Sequence, residues 1–187
     1  MATYAALLRG INVGGHRKVP MAELRQLLTE LGHGAARTYL QSGNAVFTAP
    51  AADPATLTGA LGDAVAERFG FRVDCLVLGR AELRAVVERC PFPAAELDPA
   101  KLVVVFLSRP AADHPVAGSD PARWAPDEFR VGERELFAWF PGGMGRSRLG
   151  EALSRPGDDV VATARNWRTV TALVSLADQL AAADRSA

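Results

Sequence analysis

Short apolar runs alternate along this chain with stretches in which apolar residues recur every three or four positions. Thr3–Leu8 is an almost unbroken apolar run of strand length, as expected of a strand covered on both faces. A glycine-rich turn follows, Gly10-Ile11-Asn12-Val13-Gly14-Gly15. Pro20 then opens a helix, where its missing N–H costs nothing. Met21, Leu24, Leu27, Leu28 and Leu31 form the apolar stripe of that helix, and Gly32 ends it. Arg37–Gln41 and Asn44–Thr48 read as strands joined by a hairpin at Ser42-Gly43. Asp53-Pro54 caps a second helix with Leu57, Leu61, Val65 and Phe69 on one face and Gly70 at its end. Arg72–Leu78 is the next strand.

The order to this point is βαββαβ, the ferredoxin-like unit. A linking helix bearing Leu83, Val86, Val87 and Cys90 stops at Pro91-Phe92-Pro93. The order then repeats with less regular periodicity. Strand Leu102–Leu107 leads to a weak helical turn at Pro121–Ala125 and strands Glu128–Val131 and Glu135–Phe140. A helix near Ser147–Leu153 and a strand Val160–Thr163 close the second unit. A last helix starts at Trp167 behind Asn166 as N-cap, with Val170, Leu173, Leu176 and Leu180 as its stripe. The fold class expected is α+β: two ferredoxin-like (βαββαβ) units in tandem, with a linking helix and a C-terminal helix. Residues 1–78 form the first domain; residues 79–187 hold the linking helix, the second unit and the closing helix.

Composition adds exclusions. The chain has 187 residues, 49% of them hydrophobic, and 21 basic against 21 acidic side chains. No run reaches the roughly 18 apolar residues of a membrane helix, and the first residues lack a basic and then apolar leader. A cytoplasmic protein without a membrane partner is expected. Cys75 and Cys90 are too few for a disulfide framework and suit a reducing compartment. His16, His33 and His114 are scattered, so neither a metal nor a cofactor is expected. Charge is uneven: residues 1–50 carry +3 and residues 141–171 carry +2, while residues 51–140 carry −4. Positive charge thus gathers on the segments richest in Gly, Asn and Arg, a field that steers anions.

Topology says where such a site lies. A right-handed helical crossover makes the first two strands parallel, so both end at one edge of the sheet. The loop Arg9-Gly10-Ile11-Asn12 then lies beside the hairpin Gln41-Ser42-Gly43-Asn44, with the first helix beginning there too. Arg9, Asn12, Gln41, Ser42 and Asn44 are the ligand-binding candidates, for a phosphate- or carboxylate-bearing molecule. Arg165, Asn166 and Trp167, at the start of the last helix, form a second constellation of the same kind. The matching edge of the second unit, Ser108-Arg109-Pro110 and Val131-Gly132-Glu133-Arg134, reads as scaffold.

Three of these segments also carry a resemblance. Leu8-Arg9-Gly10-Ile11-Asn12-Val13-Gly14-Gly15 with Lys18-Val19-Pro20-Met21, Thr38-Tyr39-Leu40-Gln41-Ser42-Gly43-Asn44, and Ala164-Arg165-Asn166-Trp167-Arg168-Thr169-Val170 resemble three blocks of the bacterial family called domain of unknown function 1697. The last block usually reads Thr-Thr-Arg-Asn-Trp-Asn-Thr-Val; here Ala164 replaces a threonine and Arg168 an asparagine. The resemblance implies a two-part ferredoxin-like fold and a mostly cytoplasmic bacterial protein, and it implies no activity. His16 is not a fixed feature of its block.

No Gly-x-Ser-x-Gly elbow, Walker loop or paired catalytic carboxylates occur, so no reaction is assigned. The first reading is a site for a small anionic ligand. A second is a dimerisation or interaction module whose loops are structural. A third, single-stranded RNA binding on the sheet, fits less well. Asn44 and Val46 stand where base-stacking aromatics would be needed, and the net charge is zero.

Overall fold

The computed structural model describes residues 1–185. By its internal contacts the chain parts into two units. One holds Met1–Ala85 and the chain from Thr171 onward; the other is Val86–Val170.

The first unit runs β1 (Ala2–Leu8), α1 (Met21–Glu30), β2 (Gly34–Tyr39), β3 (Asn44–Ala49), α2 (Pro54–Phe69) and β4 (Cys75–Gly79). Its strands form one antiparallel sheet in the order β2-β3-β1-β4. β1 and β2 both run against β3, so they point the same way and end at one edge. Tyr4, Ala6 and Leu8 of β1, Phe47 of β3 and Val77 of β4 share a cluster with Leu24 and Leu28 of α1 and with Leu57, Leu61 and Val65 of α2. The other face of β1, Ala5 and Leu7, is buried as well. That explains its continuous apolar run. α2 has the ends its sequence demands: the Asp53 carboxylate accepts from the Ala55 N–H, and Gly70 closes the helix at φ +76°.

The second unit holds β5 (Leu102–Leu107), β6 (Glu128–Val131), β7 (Glu135–Trp139), α4 (Arg148–Leu153) and β8 (Ala162–Asn166), preceded in the chain by α3 (Arg80–Glu88) and followed by α5 (Trp167–Arg185). The sheet order is β6-β7-β5-β8, again antiparallel. Two short 3-10 turns, Ala111–Asp113 and Pro121–Trp124, replace a full helix between β5 and β6. Val103, Val105, Leu136, Phe140, Leu149, Leu153 and Trp124 make its core. The whole is a mixed α+β structure with two four-stranded antiparallel sheets and five α-helices among the described residues. None of those helices is long and apolar enough to cross a membrane.

Several boundaries differ from the expected ones. β2 is Gly34–Tyr39 instead of Arg37–Gln41, because Leu40 turns into the left-handed region (φ +56°) and ends the ladder. A bulge between Gly34 and Arg37, with Ala35 at φ +47°, lets the strand start early. β4 begins at Cys75 rather than at Arg72. α3 follows β4 without a loop and stops at Glu88, short of Cys90. β8 starts two residues and ends three residues later than expected, pairing Ala162 with Leu107 and Asn166 with Val103. Arg165 and Asn166 are therefore strand residues.

Charged side chains secure each unit. In the first, Asp178 of α5 receives Arg80 and Arg84 of α3, each at 2.9 Å, and the Met1 amino group meets Asp184 at 3.0 Å. In the second, Glu135 is only 1% exposed. Arg89 donates to both of its carboxylate oxygens, at 2.7 and 3.1 Å, and the Arg134 N–H adds a third bond at 3.1 Å. Removing one partner of a buried pair leaves a desolvated charge. Glu135→Ala is expected to cost about 3 kcal/mol in denaturant unfolding. Arg155→Ala, which breaks the exposed pair with Glu151, should cost less than about 0.5 kcal/mol.

Two imidazoles make stability depend on pH. His33 stacks on Phe47 with ring centroids 4.7 Å apart, and the His114 Nδ1 accepts from the Val116 N–H at 3.1 Å. Burial lowers both from the ordinary imidazole value of 6.5. Below that value the unfolded chain takes up protons that the native state refuses. The stabilisation is therefore present above about pH 6.5 and lost as pH falls toward the folded values. Unfolding midpoints should drop between about pH 7 and 5, and His33→Phe with His114→Gln should flatten that slope.

Candidate functional site

The edge where β1 and β2 end is assembled mostly from backbone. The Leu8 N–H donates to the Gly43 carbonyl at 2.8 Å, tying the end of β1 to the β2–β3 turn. The Arg9 N–H donates to the Asp74 carbonyl at 2.8 Å, tying it to the approach to β4. Gly43 permits this close packing. It sits at φ +85°, and a Cβ there would fall 2.9 Å from Leu8 Cβ and from Ile11 Cδ1.

Asn12 then joins the loops. Its Nδ2 donates to the Val19 carbonyl at 2.9 Å and to the Gln41 carbonyl at 2.7 Å, and its Oδ1 accepts from the Val19 N–H at 2.9 Å. Asn12 occupies φ +55°, a conformation that asparagine tolerates better than most residues. Between its two contacts with Val19 the chain makes a small hairpin, Val13 facing His16. Gly14 and Gly15 at φ +60° and +79° form its tip. Two successive positive φ values are what a type I′ turn requires, so these glycines are accounted for by the turn.

Asn44 does a similar task from inside. It is fully buried, and its Nδ2 donates to the Tyr39 carbonyl at 2.9 Å and to the Ser42 hydroxyl at 3.1 Å, closing the hairpin across its own turn. Gln41 supplies its carbonyl to Asn12 and is exposed. The Arg9 guanidinium lies 3.8 Å from Asp74 with both groups well exposed, a pair of little net worth.

The structure thus brings Arg9, Asn12, Gln41, Ser42 and Asn44 together at one edge, with both asparagine amides engaged in holding it. Besides Gln41 and Ser42, the exposed polar side chains there include three the topology argument did not single out: His16, Arg17 and Lys18. Among the described residues neither the Arg17 nor the Lys18 side chain has an ion-pair or hydrogen-bond partner. Their signal was present in the sequence, since no acidic residue occurs before Glu23. α1 begins right behind them at Met21, with Pro20 at the N-cap position and no side-chain cap.

The second constellation belongs to the other unit. Arg165 is 8% exposed on β8 and donates to the Thr163 hydroxyl and the Ala164 carbonyl, each at 2.8 Å. Burial brings its guanidinium down to about 10, which leaves it charged at neutral pH. Asn166 caps α5 as expected, its Oδ1 accepting from the Thr169 N–H at 3.0 Å, and Trp167 is buried. The thiols are poor nucleophiles: burial, reinforced by Asp74, pushes Cys75 up to about 11, and burial raises Cys90. Among the described residues no three His, Cys, Asp or Glu gather as a metal ion would need.

Asn12→Ala would leave three backbone groups of two loops without their partner and is expected to cost about 2 kcal/mol. Gly43→Ala combines a left-handed backbone with contacts against Leu8 and Ile11, and should cost about 2 kcal/mol or more. Chemical denaturation of each variant checks both values.

A protein of similar structure is the conserved bacterial protein SP0830 from Streptococcus pneumoniae. It is 26% identical with a TM-score of 0.70, over 93% of this chain and 97% of that one. No protein of curated function matches. The family model described as protein of unknown function (DUF1697) matches residues 1–137, and the chain belongs to that family.

Proposed function

We propose that the edge between the β1–α1 loop and the β2–β3 turn binds a small anionic ligand bearing phosphate or carboxylate. One observation carries this reading. Arg17 and Lys18 stand exposed and unpartnered on a hairpin that Asn12 holds in place, in a segment without acids. Holding the backbone that carries these cations beforehand lowers part of the ordering cost of binding. In this reading Arg9, Arg17 and Lys18 supply charge, with Ser42, Gln41 and the uncapped first turn of α1 beside them. Asn12 and Asn44 act as positioning residues. Arg165, Asn166 and Trp167 are proposed as a second anion contact within the second unit, resting on the buried charge of β8 just before α5.

The reading includes a finer description of the fold. We take the two units as tandem ferredoxin-like βαββαβ units, the site-bearing part being residues 1–78. The strand orders β2-β3-β1-β4 and β6-β7-β5-β8 support this. A bacterial, cytoplasmic setting goes with it, in keeping with two free cysteines.

The test is a thermal-shift screen with phosphate, sulfate, nucleotides, sugar phosphates and small carboxylates. A ligand at a hundred times its dissociation constant adds about 2.7 kcal/mol, or about 5–10 °C for a chain of this size. The shift should disappear in Arg17→Ala/Lys18→Ala and shrink in Arg9→Ala. Failure of every compound would favour the interaction-module reading instead.

A further inference from the structure

The same edge displays apolar surface. Val13 is 68% exposed and Leu40 56%, two of the four large apolar side chains standing out into water among the described residues. Each is next in sequence to a partner in the bond from the Asn12 Nδ2 to the Gln41 carbonyl, so the two positions stand at one junction. Folding gains little from either. Val13 precedes a glycine turn that makes no use of its side chain. Leu40 sits at φ +56°, where Asn or Gly would be less strained. Single exposed apolar residues are ordinary. Two at one junction, on the edge that also carries the exposed Arg17 and Lys18, offer both halves of an amphiphile's complement.

We infer that the ligand of this edge is an anion carrying an apolar group, such as an aryl or alkyl phosphate, rather than a bare inorganic ion. This rests on the anion-site reading above. The cations take the charged end, and Val13 and Leu40 cover part of the apolar end, removing it from water. A soluble metabolite or a lipid headgroup with the first carbons of its chains would supply the same chemistry.

Binding of inorganic phosphate and of phenyl phosphate is compared by titration calorimetry in the full chain and in Val13→Ser/Leu40→Ser. Phenyl phosphate should bind the unaltered chain about tenfold more tightly than phosphate, the discrimination a small apolar contact provides. The double variant should lose that preference and keep its affinity for phosphate. Its melting temperature should match the unaltered chain, because both side chains are exposed. A second arm measures sedimentation with phosphatidylglycerol and with phosphatidylcholine vesicles. Pelleting with the anionic vesicles only, lost in the double variant, assigns the apolar anion to a lipid. A phenyl phosphate preference without pelleting assigns it to a soluble ligand. Equal affinity for the two phosphates without pelleting, or a preference that survives in the double variant, overturns this inference and leaves the anion site standing. No binding of either phosphate or of vesicles overturns the anion site itself.

Discussion

One primary amide, that of Asn12, sets the geometry on which the candidate site depends. A loop that leaves a strand carries backbone N–H and C=O groups with no ladder to satisfy them. Asparagine answers this better than a hydroxyl or a carboxylate, because its side chain offers two donors and an acceptor at once. Here both donors and the acceptor are used, on Val19 twice and on Gln41 once. The first two bonds close the loop on itself; the third fastens it to the neighbouring turn. Buried Ile11 and Val19 anchor the two ends, so residues 13–18 are held away from the core as a small projection. The positions of Arg17, Lys18 and the start of α1 follow from these few contacts.

The second unit shows what the same topology does without such a projection. The Leu107 N–H donates to the Arg134 carbonyl at 2.9 Å, the counterpart of the bond from Leu8 to Gly43. There the resemblance between the edges stops. The Arg134 guanidinium donates to the Ser108 carbonyl at 3.0 Å, and the Ser108 hydroxyl accepts from the Val161 N–H at 2.9 Å. Glu133 and Glu135 occupy the next positions and engage Arg89. Acids and a cation cancel one another within this edge, as a scaffold allows. At the first edge Arg9 lies near Asp74, while the Arg17 and Lys18 side chains face no acid.

The sequence announced elements wherever local signals and packing agreed. α2 is the clear case: Asp53, Pro54, the four-residue apolar period and Gly70 all point to one helix. β2 was misplaced because its ends depend on left-handed residues, Ala35 and Leu40, which no residue type advertises. β8 was misplaced because Arg165 looks like a loop residue until its guanidinium is seen bonded to Thr163 and Ala164. The meeting of the two loops was legible, since parallel strands must end together. The roles within them were not. An asparagine that binds a ligand and one that braces a loop read alike in one dimension. Only hydrogen-bond partners separate them, and the amides of Asn12 and Asn44 both bond to the backbone of the loops they join.

Backbone strain is distributed just as unevenly. Of the five non-glycine residues with positive φ among the described residues, Asn12, Arg17 and Leu40 lie on this edge. Each such residue costs on the order of 1 kcal/mol unless its side chain compensates. Asn12 is compensated by three hydrogen bonds. Arg17 and Leu40 have no such return within the fold, one side chain lying unpartnered in water and the other exposed apolar surface to it. A sequence under pressure for stability alone would place glycine or asparagine at both. The two strained residues that stability does not explain are thus a cation and an apolar side chain, the pair of groups that an amphiphilic anion would meet.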